Sequence, residues 1–378
     1  MNKKENIAVI GGGIIGVSTA FYLQRSNLFN VTLFDDNAGQ ATKATGGIVS
    51  PWLSRRRNKT WYQLVKTSAA FYPSFVRDLG LNVDDNPFYK RSGSLLFTKK
   101  DEQLEEILNI GLKRREDAPE IGDLRILNPD EIKSMLPIYT GETRALYASG
   151  GAKVDGKNLI DYMSDYLASH QVNVINKRVH AISVNEDESY TLSTHTDKHA
   201  YDKIVLSNGA WSPKLLEPLG YKVDNQLQKG QISEVVINDK QTAHWPVVQP
   251  AGGFNVVPFS DGHILIGATH EKESGYTLDI IPDLLEPYLE EASRQISTAF
   301  DGIKPISYRV GVRGYTHDFS PYFGKVPHSA GIYTANGMGA TGLTAGPLVG
   351  KILAQLISGE EPILDPKNYH IEDYIQKI

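Results

Sequence analysis

The tightest constraint on the fold lies in the first 35 residues. Ile7-Ala8-Val9-Ile10 is an unbroken apolar run, the pattern of a short strand buried on both faces. Gly11-Gly12-Gly13-Ile14-Ile15-Gly16 follows at once as G-x-G-x-x-G, after which Ile14, Val17, Phe21 and Tyr22 recur at helical spacing as far as Ser26. Val31-Thr32-Leu33-Phe34 is a second strand and runs into Asp35 and Asp36. Each part has a mechanical job. Gly11 permits a tight turn, Gly13 lets a pyrophosphate approach the backbone, and Gly16 lets the helix lie close to the strand. The helix start at Ile14 and Ile15 offers free N–H groups and a positive dipole end. Asp35, 24 residues past Gly11, is placed to accept hydrogen bonds from a ribose. Such a chain opens with a βαβ dinucleotide-binding unit.

Composition narrows what can follow. A length of 378 residues suggests two or three domains, and shares of 40% hydrophobic and 22% charged residues are ordinary for a globular protein. There is no cysteine, which excludes disulfides, thiolate metal sites, iron–sulfur clusters, a cysteine nucleophile and a thioether-tethered cofactor. A net charge of −5 argues against a general nucleic-acid binder. His244, His263 and His317 show no ligand spacing, so no metal is expected. Lys3 and Lys4 ahead of an apolar stretch imitate a secretory signal, but Gly11, Gly12, Gly13 and Gly16 interrupt the run. The apolar stretch 343–357 carries Pro347, Lys351 and Gln355 and is short for a bilayer span. A cytoplasmic protein without an integral membrane segment is expected.

After Asp35 the chain does not continue as a nicotinamide enzyme would. It enters Ala41-Thr42-Lys43-Ala44-Thr45-Gly46-Gly47-Ile48-Val49-Ser50-Pro51, small residues and hydroxyls that let a loop lie flat on an extended ligand. At this point it resembles the flavin-dependent D-amino-acid oxidase superfamily, particularly the glycine oxidase, sarcosine oxidase and D-amino-acid dehydrogenase branch. Further matches follow in order: Gly151-Ala152-Lys153-Val154-Asp155, the strand 201–206 with Asn208-Gly209-Ala210-Trp211, Gly267-Ala268-Thr269-His270-Glu271, and Gly311-Val312-Arg313 with Pro321-Tyr322-Phe323-Gly324. The series closes with Asn336-Gly337-Met338-Gly339-Ala340-Thr341-Gly342-Leu343 and a helix to about Gly359.

The resemblance implies non-covalent FAD. Thr42 and Thr45 would contact the cofactor through hydroxyl or backbone, and Gly46, Gly47 and Ile48 would approach the flavin ring. Lys43 could meet a phosphate. Segment 176–181 would be a strand whose Val179 backbone meets the adenine, and Asn208, Gly209 and Trp211 would lie beside the cofactor. Gly337, Met338, Gly339, Thr341, Gly342 and Leu343 would underlie the flavin's pyrimidine edge, where a helix dipole stabilises negative charge. Asp155 is a plausible N-cap for an amphipathic stretch over 159–167.

The expected fold class is α/β, a Rossmann-like FAD-binding domain with an inserted α+β substrate domain built on an antiparallel sheet. Residues 1–85, 145–212 and 310–378 are assigned to the FAD domain, and 86–144 and 213–309 to the substrate domain. Within the latter, 93–97, 232–237, 254–257 and 264–266 read as strands, and 102–115, 129–136 and 284–300 as helices.

Three side chains are candidates for the chemistry. Arg313 is placed by the resemblance to grip a substrate carboxylate, which a guanidinium does with two parallel hydrogen bonds. His270 lies in the element that approaches the substrate cavity. Arg55 opens the run Arg55-Arg56-Arg57, which reads either as a solvated face or as an arginine directed into the active-site mouth that favours an acidic substrate. Three departures set the chain apart from relatives. Asn255 stands where a substrate-touching tyrosine is common, Met338 stands where dehydrogenase-like relatives often carry histidine, and no arginine follows Arg313 near the last loop. The activity implied is oxidation of a small amino acid at its C–N bond, the electrons passing to oxygen, a quinone or a carrier protein. A quinone acceptor would bring peripheral membrane association, and a homo-oligomer stays open. The alternatives are a 2-hydroxy acid dehydrogenase on the same scaffold and a non-catalytic FAD-binding subunit of a larger complex.

Overall fold

The computed structural model describes residues 4–378. The opening unit forms as strand Glu5–Ile10, helix Ile14–Ser26 and strand Phe29–Phe34. It sits in a six-stranded sheet ordered Tyr322–Lys325, Ile332–Asn336, Lys203–Leu206, Glu5–Ile10, Phe29–Phe34, Asn173–Ile175, parallel except for the first pair. The alternation of the central strand explains its unbroken hydrophobicity. Ile7 and Val9 pack under the helices, whereas Ala8 and Ile10 face a second layer containing Tyr190, Leu192 and Tyr201. That second layer is the antiparallel sheet Ala181–Val184, Tyr190–Ser193, Lys198–Tyr201.

Helix Gly342–Ser358 packs directly on helix Ile14–Ser26, and two glycines set their separation. A Cβ on Gly346 would lie 2.4 Å from Ile14 Cγ2, and one on Gly350 would lie 2.5 Å from Ser18 Cβ and 2.8 Å from the Thr19 nitrogen. No side chain fits there. Together with the preceding turn this helix spans Gly339–Ser358, 20 residues of mean hydropathy 1.2, longer than the apolar run suggested and enough in length and composition to cross a bilayer. In this fold 67% of its most apolar 18 residues are buried within the protein, against the neighbouring helices.

The larger sheet has eight strands, ordered Ser307–Tyr315, Gln226–Val236, His263–Gly267, Asn255–Pro258, Val247–Gln249, Ser94–Leu96, Ala145–Ala148, Leu124–Leu127. It is antiparallel apart from the pairing of Val247–Gln249 with Ser94–Leu96. Its period-2 pattern separates two faces. Val235, Val248, Val256, Ile264 and Ile266 pack with Leu289 and Ala292 of helix Glu286–Gln295. Ile232, Val247, Val257 and Leu265 face the other way, against Ile48 of the loop that follows the first βαβ unit. The sheet thus lies over that loop. A small sheet of Ile48–Val49, Ala152–Val154 and Tyr89–Arg91 ties the two halves together.

Several expectations shift in detail. Ala145–Ala148 and Ser307–Tyr315, assigned from sequence to or across the edge of the FAD domain, are strands of the larger sheet. Residues 176–180 do not form a strand. The sheet edge ends at Ile175, whose carbonyl receives the Lys177 N–H, and the next strand starts at Ala181. The stretch 284–300 is not one helix, because Ser297 breaks it by capping a separate short turn through the Ala299 N–H. Ser94–Leu96, Asp101–Arg115 and Pro129–Met135 agree with the sequence reading to within a residue or two at each end.

Candidate active site

The carboxyl ends of the parallel strands open into one long crevice, the position that ligands take in open α/β sheets. At one end lie Phe34, Asp35, Asp36 and Val179; its middle is formed by Gly11, Gly13, Ile14, Ile15 and Thr42, with Asn208, Gly209 and Trp211 on the wall. Arg313, Met338, Gly339 and Gly342 close the other end. The turn needs its glycines: Gly11 has φ +105°, and a Cβ there would lie 2.6 Å from the Ser207 carbonyl oxygen. Gly16 stands outside the crevice, where a Cβ would meet the Gly11 carbonyl at 1.8 Å, so its role is the strand–helix contact.

The residues present suit an extended dianionic ligand with a ribose. Helices Ile14–Ser26 and Gly342–Ser358 both begin without a side-chain cap, and both start at this crevice, so their free N–H groups face it. One is met by Thr42, whose Oγ1 accepts from the Ile14 N–H at 3.1 Å and lays the following loop across the helix start. Asp35 accepts from the Asn37 N–H at 3.1 Å and from Gln40 Nε2, and burial raises its pKa although the Gly12 and Asn37 N–H groups partly counter this. The other end of the Gln40 amide, Oε1, is buried at the crevice wall with no protein partner. An orphaned acceptor beside a ribose-binding carboxylate is the arrangement expected where a ligand hydroxyl completes the set.

Other residues singled out from sequence shape the site from behind. Gly46 faces Val257 and Ile232 of the large sheet, and Gly47 is wedged where a Cβ would lie 2.2 Å from the Val154 carbonyl and 2.3 Å from Leu343. Ile48 pairs with Lys153, and Thr45 donates its N–H to Thr42. Gly337 takes φ +73°, Thr341 donates its hydroxyl to the Met338 carbonyl, and the Leu343 carbonyl accepts from Tyr72. Lys43 is drawn away from the crevice by Asp161 at 3.0 Å. Arg55 pairs with Glu106 at 3.0 Å and borders a separate hollow with Phe97 and Phe254. It is therefore turned away from Arg313.

Arg313 and His270 do come together, through a residue not anticipated. Gln228, cross-strand from Arg313 and buried, receives the Arg313 Nη1 hydrogen at 3.0 Å, and its Oε1 lies 3.0 Å from His270 Nδ1. Gly230 lets the guanidinium lie on the strand, since a Cβ there would sit 2.5 Å from Nη2. No carboxylate lies within 4.0 Å of Arg313 among the described residues. Burial and then the Arg313 charge push the His270 pKa below the ordinary imidazole value, so the imidazole is neutral at pH 7. Behind them, Glu271 accepts from Thr269, Gln231 and Ser274 and pairs with buried Lys229 at 3.3 Å, which pins the 267–271 segment to its neighbour strand.

Residues 6–356 match the family of FAD dependent oxidoreductases (DAO). The chain belongs to the FAD-dependent oxidoreductase family. FAD is accordingly the cofactor; in this crevice the Gly11–Gly13 turn would hold its phosphates and Asp35 its ribose. An uncharacterized oxidoreductase, YurR, of Bacillus subtilis is 36% identical over 97% of this chain and 98% of its own length. A glycine oxidase of Pseudomonas aeruginosa is 29% identical over 97% and 98%. The crystal structure of iminodiacetate oxidase from Chelativorans sp. BNC1 superposes with a TM-score of 0.90 at 30% identity, covering 96% of this chain and 98% of that one.

Gln40, Gln228 and Asn336 join the FAD-binding crevice or its Arg313 end without having been read from sequence. Asn336 donates to the carbonyl of Gly209 and to Asn225, tying the last strand of the sheet to the turn after Leu206. The one available signal for Gln228 was register, because Gln228 faces Arg313 only once the two strands are paired.

Proposed function

We propose that this flavoenzyme oxidises the C–N bond of a small amino acid, with Arg313 holding the substrate's carboxylate. The observation that carries this is an arginine at the end of the crevice away from Asp35, half-buried, positioned by Gln228 and Gly230, and free of any carboxylate partner among the described residues. A cation removed from water without a counter-ion is costly, and an anionic ligand offsets that cost. Glycine oxidases and an iminodiacetate oxidase among the relatives support the reading, since glycine and iminodiacetate both carry an amine one carbon from a carboxylate.

Bound FAD supplies a two-electron acceptor; what remains to the protein is placement. Arg313 grips the carboxylate in a bidentate way and fixes which face of the α-carbon meets the ring. Ile232, Val257 and Leu265 roof this region and exclude water from it. Neutral His270 leaves Arg313 as the cation of the cluster, so the carboxylate is drawn to one point.

The test is Arg313→Ala with flavin content and anaerobic reduction measured on the same sample. Retained FAD with reduction lost for glycine, N-methylglycine and D-alanine supports the assignment. Loss of the flavin itself, or reduction at the unaltered rate, removes Arg313 from the substrate site.

A further inference from the structure

Three arginines that are not exposed lie farther than 4.0 Å from every carboxylate among the described residues: Arg56, Arg114 and Arg313. Arg114 is already spent. Its Nη1 donates to the carbonyls of Trp52 and Ser54, both at 2.6 Å, its Nη2 reaches the Arg56 carbonyl at 3.4 Å, and the group lies over the Tyr62 ring at 4.2 Å. This grip immobilises the backbone from which Arg56 projects. Arg56 itself covers Trp61 at 4.7 Å and donates from Nη2 to the Phe319 carbonyl at 2.6 Å, its one side-chain hydrogen bond among the described residues. Burial lowers its basicity, and the Asp318 carboxylate, which lies beyond ion-pair distance, and the Tyr315 phenol only partly counter this.

Arg56 and Arg313 are connected through two aromatic residues. Tyr315 follows Arg313 by two residues on strand Ser307–Tyr315 and so shares its face. The Tyr315 ring lies 5.4 Å from Phe319, whose carbonyl Arg56 holds, and presses on Gly339, where a Cβ would fall 1.9 Å from it. A continuous set of contacts thus runs from the strand of Arg313 through Tyr315 and Phe319 to Arg56, beside the loop that starts helix Gly342–Ser358. Arg309, on the same strand face, is already neutralised by Asp155 and Glu234.

We propose that Arg56 binds a second carboxylate of the substrate, so that the preferred substrates are amines bearing two carboxylates, one held by Arg313 and one by Arg56. This rests on the amine reading above. Of the Arg55–Arg57 run, Arg55 is occupied by Glu106 and Arg57 is exposed, which leaves Arg56 as the member that selects acidic substrates. A charge-assisted hydrogen bond of about 1.5–3 kcal/mol corresponds to roughly 10- to 100-fold in affinity.

The experiment compares dissociation constants for two pairs of compounds on the FAD-loaded enzyme. One pair reacts, iminodiacetate and N-methylglycine, read by anaerobic flavin reduction. The other does not, thiodiacetate and methylthioacetate, read by perturbation of the flavin spectrum. The wild type should prefer the dicarboxylate of each pair by about 10- to 100-fold. Arg56→Gln should bring the two constants of each pair together, Arg56→Lys should restore part of the gap, and Arg313→Gln should weaken all four ligands. A wild-type preference near unity overturns the inference, whatever the variants do. So does an Arg56→Gln enzyme that keeps the preference, or one that weakens both members of each pair equally. Should hydroxy acids alone reduce the flavin, the amine reading falls, and the thiodiacetate pair still decides the role of Arg56.

Discussion

Replacing Gly350 by alanine sets two effects of opposite sign against each other. Gly350 has ordinary helical backbone, so alanine should gain about 1 kcal/mol of helix propensity. The new methyl, however, would lie 2.5 Å from Ser18 Cβ, 2.8 Å from the Thr19 nitrogen and 2.9 Å from the Ile15 oxygen. Two of these are backbone atoms of a helix that cannot rotate out of the way, and carbon contacts need about 3.5–4.0 Å. The helices must move apart by about 1 Å. Overpacking of this kind costs about 1–3 kcal/mol, and the gap opened around Gly346 and Ile14 adds to it. Overpacking wins, leaving a net loss of about 1–2 kcal/mol, or about 1–3 °C in Tm for a chain of this size. Both helices begin at the FAD crevice, so FAD affinity should fall with stability. Thermal unfolding with and without added FAD, together with an FAD titration, reads both. A rise in Tm, or unaltered FAD affinity, would refute the argument that this contact sets the cofactor site.

Asp35→Asn should weaken FAD by about tenfold or more, as a charged acceptor for the ribose is lost, measured by fluorescence titration of the apoprotein. The same variant should not destabilise the apoprotein at pH 7, because burial raises the Asp35 pKa and the ionised form is the disfavoured one. Lys153 is buried, donates to the carbonyls of Trp245 at 2.9 Å and Thr242 at 3.4 Å, and has its pKa lowered to about 7 by burial and then by Lys90. From about pH 7 up to the ordinary lysine value near 10.5 the folded state binds fewer protons than the unfolded state, so this residue's cost to stability is full below 7 and fades above it. Lys153→Met should therefore stabilise the protein, by up to about 5 kcal/mol less the loss at two carbonyls, and the gain in urea unfolding should shrink from pH 7 to pH 10.

The parts legible in the sequence were those carried by local spacing. The Gly11–Gly16 turn, Asp35 and the N-cap role of Asp155, which accepts from the Lys157 and Asn158 N–H groups, all depend on residues close in the chain. What stayed hidden depends on pairing between distant segments. Gln228 meets Arg313 only through strand register, Arg114 grips Trp52, Ser54 and Arg56 across some sixty residues, and the parallel contact of Val247–Gln249 with Ser94–Leu96 has no local sign. Charge runs were the least informative signal. Arg55, Arg56 and Arg57 are alike in sequence, and only Glu106, Trp61 and Phe319 give them different surroundings. The break at Ser297 was misread because a hydroxyl cap interrupts a pattern that hydrophobic periodicity alone would continue, and 176–180, a strand only by the resemblance, is loop because the sheet edge ends at Ile175.

The central claim is that the crevice places an amine, rather than an alcohol, next to a carboxylate held by Arg313. Anaerobic mixing of the FAD-loaded enzyme with carboxylated amines and, separately, with the matching 2-hydroxy acids tests it in one spectrum. The account predicts loss of the oxidised flavin bands with the amines and release of the oxo acid after imine hydrolysis, both abolished by Arg313→Ala. Bleaching by the hydroxy acids alone, or by the amines irrespective of Arg313, would contradict it.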